Sequence, residues 1–468
     1  MKYDDWSTLA SHEEAIATGR MSGEALAAFP SLANLSLNGR RDAVLAELLA
    51  GAIGYVSVKV HGAVGDVVTD DTAAIQDAID TAGAVAGEKI VYVPAGTYRL
   101  TADLTVTGSG VCIRGAGKMV SRFTRTDVWD TVADTIMMDV QGVDGFTIED
   151  CGFSLVMTGD TVATDVYALP LLIRDNVAHD TGSTNWTVKD NDFNVTGTEP
   201  STGNKMFGML AWTRTATFPR LTKNGRIHGN SIRNTEGRCI EVALCENVAI
   251  TGNTIVNGGG TASLVCVGVR VIGSKNVVAI GNPIEVTGTG VANSDCMQVN
   301  GDNLSENIVF SGNPLHTTAA AGTGVKIGAN ASKVTVVGND ILYDGVATSN
   351  MYGVLVTTNP SDTPPTGILV AGNRISGFDA QLGIARATGG DSFPTDVLFA
   401  GNLLGPRWDG TAAIGNFYNF SSVDAIASRI ITDRNFLLGS VENREDRLQG
   451  DLVIPQGSQL KGRNVAND

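Results

Sequence analysis

VAITGNTI at residues 248–255 and VVAIGNPI at residues 277–284 are one phrase written twice. Alternating apolar residues run into a Gly, an Asn, one variable residue and a further apolar residue. With Gly or Asp before the Asn, the phrase occurs eight times, at Asn191, Asn230, Asn253, Asn282, Asn313, Asn339, Asn373 and Asn402. The steps between copies run from 23 to 39 residues. A fixed phrase at loosely fixed spacing marks one structural unit repeated, with insertions between copies. Its apolar residues recur at every second position, so the unit is built of strands. Short Val- and Ile-rich strands that return about every 30 residues predict an all-β chain wound as a right-handed, single-stranded parallel β-helix. At the sharp bend a Gly or Asn tolerates positive φ, and stacked Asn side chains can join their amides along the axis. Fainter copies at IVYVPAGTYRL, SGVCIRGAG and GFTIEDCGF bring the expectation to about ten coils.

The 468 residues include 56 Gly, are 18% charged and carry a net charge of −16. A chain this long buries a large core, here spread along a rod. The acidity argues against nucleic acid and anionic membranes as partners, while local Arg and Lys leave an anionic sugar open. No apolar run reaches the length of a membrane span, and MKYDDWSTLASHEEAIATGR at the start holds no apolar h-region. The expectation is synthesis in a cytoplasm without a signal peptide. Six Cys without a CxxC pair and five scattered His indicate neither a disulfide framework nor a metal site, and no cofactor is expected.

Residues 1–57 stand outside the repeat and read as a small helical attachment element, with Val44, Leu45, Leu48 and Leu49 on one stripe. Residues 58–405 form the β-helix, and residues 406–468, where the phrase stops, form a more charged tail. Thr69 is placed to cap a helix with Asp70 and Asp71 in its first turn and Ala74, Ile75, Ala78 and Ile79 on its apolar face. Such a capping helix covers the open N-terminal end of the solenoid. The same segment, GAVGDVVTDDTAAIQDAID followed by VYVPAGTY, resembles the opening motif of the pectate-lyase-like superfamily, with Val67 where Gly is usual. That superfamily holds polysaccharide lyases, glycosidases, epimerases and bacteriophage tailspikes, so the resemblance implies the fold and leaves the chemistry open. Near the C-terminus GDLVIPQGSQLKG resembles strand–turn–strand pieces of phage tail fibres and tailspikes, which implies a homotrimer.

In four successive coils a strand precedes the phrase: RCIEVAL (238–244), CVGVRVIG (266–273), CMQVNGD (296–302) and GVKIGA (324–329). Placing Ile240, Val242 and Leu244 inside turns Glu241 out. By the same alternation Val267, Val269 and Val271 lie inside and Arg270 out. Met297 and Val299 lie inside with Gln298 and Asn300 out, and Val325 and Ile327 inside with Lys326 out. Glu236, Arg238, Asp295 and Asp302 then fall in loops beside this face. The candidate catalytic carboxylates are Glu241, Asp295, Glu236 and Asp302. The candidate substrate-binding groups are Arg238, Arg270, Gln298, Asn300, Lys326 and Trp212. Carboxylates on neighbouring coils suit glycoside hydrolysis, which needs them about 5 or about 6.5–9.5 Å apart. Arg and Lys beside them suit acidic sugars and tune a lyase base. Trp186, Trp212 and Tyr167 are available for stacking on sugar rings or for the core. Asn234-Thr235-Glu236-Gly237 resembles the NTDG of polygalacturonases with Glu for Asp; of that family's DDC triplet only Asp295-Cys296 has a counterpart, one coil late. Cys239, Cys266 and Cys296 recur at matching places and read as a structural row.

These resemblances imply a bacteriophage tailspike or tail-fibre protein. It would be a homotrimer on the virion tail, bound to tail or baseplate proteins through residues 1–57. It would bind a host cell-surface polysaccharide and degrade it as a hydrolase or lyase. Two alternatives stand beside this one: a non-catalytic receptor-binding or structural tail protein, and a bacterial polysaccharide lyase or epimerase.

Overall fold

The computed structural model describes residues 55–449 except 86–88, 130–132, 160–165, 198–203, 215–220, 235, 259–265, 288–293, 301–302, 320–321, 346–350, 359–361, 387–393, 406, 409–412, 415, 422–429, 434 and 438–447. The stripe at Val44–Leu49, the fragment at 450–462 and Asp302 therefore lie outside the described residues.

Each coil passes through three strands, as in Glu246–Thr251, Thr254–Asn257 and Cys266–Ile272. Stacked coils give three long sheets. The first runs from Tyr55–Ser57 to Ile430–Asp433 and the second from Asp66–Asp70 to Phe436–Leu437, with 13 strands each; the third runs from Leu104–Val106 to Leu448–Gln449 with 12. Neighbouring strands pair in parallel, coil on coil. This is the right-handed parallel β-helix that the repeat predicts, roughly 58 Å long at about 4.8 Å per coil.

The core consists of stacked rows. In the second sheet Tyr98, Phe123, Phe153 and Phe193 lie one above another, with ring centroids 5.1–6.1 Å apart. The row continues as Ile232, Ile255 and Ile284. In the first sheet the large Trp186 is compensated by Gly225 on the next coil. A Cβ built on Gly225 would meet the Trp186 ring at 2.0 Å. Gly225→Ala is expected to lower stability by about 1–3 kcal/mol, read as a shift in the denaturation midpoint, because the overpacked ring has no free volume to enter.

The Asn of the phrase stands at the corner between first and second sheets. Its job differs in part from the expectation. The left-handed conformation belongs to the residue before it: Gly252, Gly281 and Gly312 have φ of 62–64°, and Asp190 has φ 57°. The Asn side chains point inward and form a buried amide ladder. Asn253 donates both its backbone N–H and its Nδ2 to Oδ1 of Asn282, at 3.0 Å each. Asn282 repeats this toward Asn313 at 2.9 and 3.0 Å. The second Nδ2 hydrogen reaches a backbone carbonyl on the coil behind, as Asn282 does to Ile250 O at 3.0 Å. Asn435 adds a further rung, accepting from Asn402 at 2.8 Å, although Arg434 replaces the Gly of the phrase.

A single helix among the described residues, α1 (Thr72–Gly83), packs its apolar side over the strands at the N-terminal end. Its buried residues are Ile75, Ala78, Ile79 and Ala82. The capping differs from the reading of Thr69. Thr69 and Asp70 belong to the strand Asp66–Asp70, and Asp71 is the N-cap. The Asp71 carboxylate turns away from the helix and accepts the backbone N–H groups of Val64 and Gly65. Asp70 instead accepts from the backbone N–H of Thr72 at 3.1 Å and its hydroxyl at 2.6 Å. Val67 takes φ 69°, a region a β-branched residue enters only at a cost, which accounts for Gly being usual there.

Candidate functional site

The outer face of the third sheet carries two rows that cross the coils in register. One joins Leu210, Glu241, Arg270, Gln298, Lys326 and Leu355. The other joins Phe207, Arg238, Val267, Asp295, Thr323 and Tyr352. Glu241, Arg270, Gln298 and Lys326 thus stand side by side as alternation predicts, but the face is not a solvated one. Glu241 is 7% exposed, Gln298 2% and Asp295 0%.

The phase is broken where two consecutive residues face the core. Cys239 and Ile240 both do so, as do Cys296 and Met297. Val267 is therefore in the outer row, against expectation, and Arg238 and Asp295 lie within strands, not loops. Leu244 is not a core residue either; it leaves the strand at φ 54° and is partly exposed. The cysteine row also needs correction. Cys239 and Cys296 share an inner row with Gly268 between them, whereas Cys266 lies two residues earlier and pairs with Ser294. Burial pushes the thiols of Cys239 and Cys296 up, so they stay protonated and inert.

Around Glu241 the charges are closely paired. Arg238 Nε lies 3.2 Å from its Oε2, without hydrogen-bond alignment, and Arg270 Nη1 donates to the same oxygen at 3.3 Å. Burial lowers the pKa of Arg270, with Glu241 opposing. Asp295 sits among Thr323, Lys326 and Arg270, and Gln298 Nε2 donates to its Oδ2 at 3.1 Å. Burial nevertheless dominates and raises the Asp295 carboxyl above the usual carboxylate range. Five buried atoms on this face have no hydrogen-bond partner among the described residues: Arg238 Nε, Arg270 Nε, Ser294 Oγ, Asp295 Oδ1 and Gln298 Oε1. Buried polar atoms are normally satisfied, so their concentration on three neighbouring strands singles this face out as the candidate site. Glu241→Ala would leave two largely buried guanidiniums uncompensated. It is expected to cost about 2 kcal/mol in a denaturant titration, less than a fully dry pair because both keep some solvent.

Next to the charges lies an apolar patch on the same face. Ile136, Leu169, Leu172, Phe207, Leu210 and Ala243 form a cluster separate from the core, with Tyr167 and Trp212 packed against it. Tyr167 meets Phe207 and Trp212 edge-on, at 5.6 and 6.1 Å. The Arg238 guanidinium lies 5.3 Å from the Phe207 ring centre. Trp212 thus borders the charged row, whereas Trp186 is a core residue, 0% exposed. Glu236 is buried just before the strand Arg238–Ala243, and its backbone N–H donates to Asn234 Oδ1 at 3.2 Å. Asn300 stands partly exposed just after its strand. Phe207, Ser294 and Thr323 join the site although sequence reasoning passed over them. Only the register across coils, not the local pattern, could have found them. Among the described residues no group of three His, Cys, Asp or Glu is arranged to hold a metal, and no helix is long and apolar enough to cross a membrane.

The family model described as rhamnogalacturonase A/epimerase, pectate lyase-like, matches residues 55–199. A mannuronan C5-epimerase of Azotobacter vinelandii, AlgE5, is 44% identical over 93 residues, which are 18% of this chain and 9% of that protein. The chain therefore spans only a small part of the curated relatives it matches. Among solved structures, the A-module of the A. vinelandii mannuronan C5-epimerase AlgE4 aligns with a TM-score of 0.47 at 18% identity, over 82% of this chain and 100% of that one. The pre-mature gene product 12 of bacteriophage phi29 aligns with a TM-score of 0.48 at 16% identity, over 86% and 59%. The fold is that of a pectate-lyase-like parallel β-helix.

Proposed function

We propose that this chain is a bacteriophage tailspike or tail-fibre protein. It binds a host cell-surface polysaccharide along the outer face of the third sheet and degrades it. In this reading it is a homotrimer on the virion tail, and residues 1–57 attach it to the tail. The observation that supports the polysaccharide site most is the group of buried polar atoms at Arg238, Arg270, Ser294, Asp295 and Gln298 that lack a hydrogen bond among the described residues. Arg238, Arg270 and Lys326 would neutralise an acidic sugar, and the aromatic patch at Trp212 would take an uncharged ring face.

The two carboxylates have different environments, as acid–base pairs do. Asp295, whose pKa burial raises, is the proton donor to a leaving glycosidic oxygen. Glu241 stands between the Arg238 and Arg270 guanidiniums. Asp295 and Glu241 are two strands and three residues of strand apart, a backbone separation of about 14 Å, which is too wide for the close pair of a retaining hydrolase.

A second reading, a polysaccharide lyase or epimerase, is favoured by the local identity to mannuronan C5-epimerases. One experiment separates the readings. The protein is incubated with host surface polysaccharides and with mannuronan. Reducing ends, the ultraviolet absorbance of unsaturated uronates, and C5 inversion by proton NMR are followed together. Reducing ends alone mean a hydrolase, absorbance a lyase, and inversion an epimerase. Binding without any product would sink the catalytic reading and leave a receptor-binding tail protein. A monomeric mass in light scattering would remove the trimer.

A further inference from the structure

A groove of 540 Å³ lies on the outer face of the first sheet, away from the third-sheet site, and is lined by Asn185, Thr187, Asn224, Arg226 and Asn247 among others. Three of its lining residues, Asn185, Asn224 and Asn247, begin a second amide ladder that runs on past the groove. Nδ2 of Asn224 donates to Oδ1 of Asn185 at 3.1 Å, Asn247 to Asn224 at 3.1 Å, Asn276 to Asn247 at 2.9 Å and Asn307 to Asn276 at 3.0 Å. Unlike the rungs in the core, these five residues are exposed. Each sits at φ 54–57°, a region that Asn enters readily. The ladder uses one N–H per rung. A second N–H and a second Oδ1 lone pair remain on each, repeated about every 4.8 Å. Arg226, which lines the groove, is exposed and makes no ion pair among the described residues, in a chain of net charge −16.

We infer that this groove is a second, non-catalytic binding track for an extended polysaccharide that carries carboxylates. The amides pair with ring hydroxyls, and the rung spacing is close to the advance per sugar of an extended pyranose chain, so successive rungs meet successive sugars. The Arg226 guanidinium takes a carboxylate through its two-pronged donor geometry. The track does not depend on turnover at the third sheet.

The test uses the full chain carrying Asp295→Asn, so that no ligand is consumed, titrated calorimetrically with a mannuronan hexamer and with cellohexaose. Asn224→Gly with Asn247→Gly removes two amides while keeping a residue at ease with positive φ, and unfolding curves confirm that the fold is retained. This pair is expected to weaken mannuronan binding about tenfold, and Arg226→Gln about tenfold for mannuronan with cellohexaose unchanged. If neither substitution alters mannuronan binding, or if no binding is seen before they are made, the inference is wrong. Failure of the third-sheet reading looks different: there Arg270→Gln leaves binding untouched while the Asn224 and Arg226 substitutions still reduce it.

Discussion

Asp295→Asn is expected to reduce product formation from the cognate polysaccharide by about 10²–10⁴-fold, the usual contribution of a positioned general acid. The same substitution is expected to leave the fold as stable as before, or more so. Asn keeps the size of the side chain and the acceptor for Gln298 Nε2, while removing an ionisable group from a site that is 0% exposed. The sign follows from linkage. The folded protein holds the Asp295 proton more tightly than the unfolded chain, whose aspartates titrate near 3.9. Stability from this group is thus full below the ordinary aspartate range and is lost as pH rises toward the raised folded value. The melting temperature of Asp295→Asn should equal that of the parent below the ordinary aspartate range and exceed it as pH rises through the raised folded value. A purely structural Asp295 would give the opposite pairing, with stability lost and activity following it down. Both quantities measured on one preparation decide the matter.

Asn282→Ala is expected to be among the most destabilising single changes in the chain, by about 4 kcal/mol in a reversible denaturant titration. The residue is wholly buried. Its loss strands the backbone N–H and Nδ2 of Asn253, which donate to its Oδ1, and the carbonyl of Ile250, which accepts from its Nδ2. Each orphaned buried group costs about 1–3 kcal/mol, and the cavity adds to it. Asn282→Asp keeps the acceptor but buries a charge among carbonyls, so it should be no better. The exposed Asn276, on the same coil, is the control. Its amide bonds to Asn247 in solvent, and Asn276→Gly should cost less than about 1 kcal/mol. Equal effects at the two positions would mean that the inner ladder contributes nothing beyond its turn.

The sequence by itself determined the winding of this protein. A corner at which Gly takes the left-handed backbone and Asn bonds to the next Asn can be met only by stacking coils, so eight copies of the phrase fix a solenoid and its register at that corner. It determined the outward row Glu241, Arg270, Gln298 and Lys326 as well, because the second halves of those strands alternate regularly. The rest required the tertiary structure. The consecutive inward pairs Cys239-Ile240 and Cys296-Met297 shift the phase of the first halves, which brings Val267 out and places Asp295 in line with Arg238. No local period encodes that shift, since it arises from how each strand fits its neighbours on the coils above and below. Nor does alternation distinguish an outward residue in water from one buried on the outside of a sheet. That Asp295 is buried, with its pKa raised and its Oδ1 without a hydrogen bond among the described residues, is decided by what the stacked coils bring together.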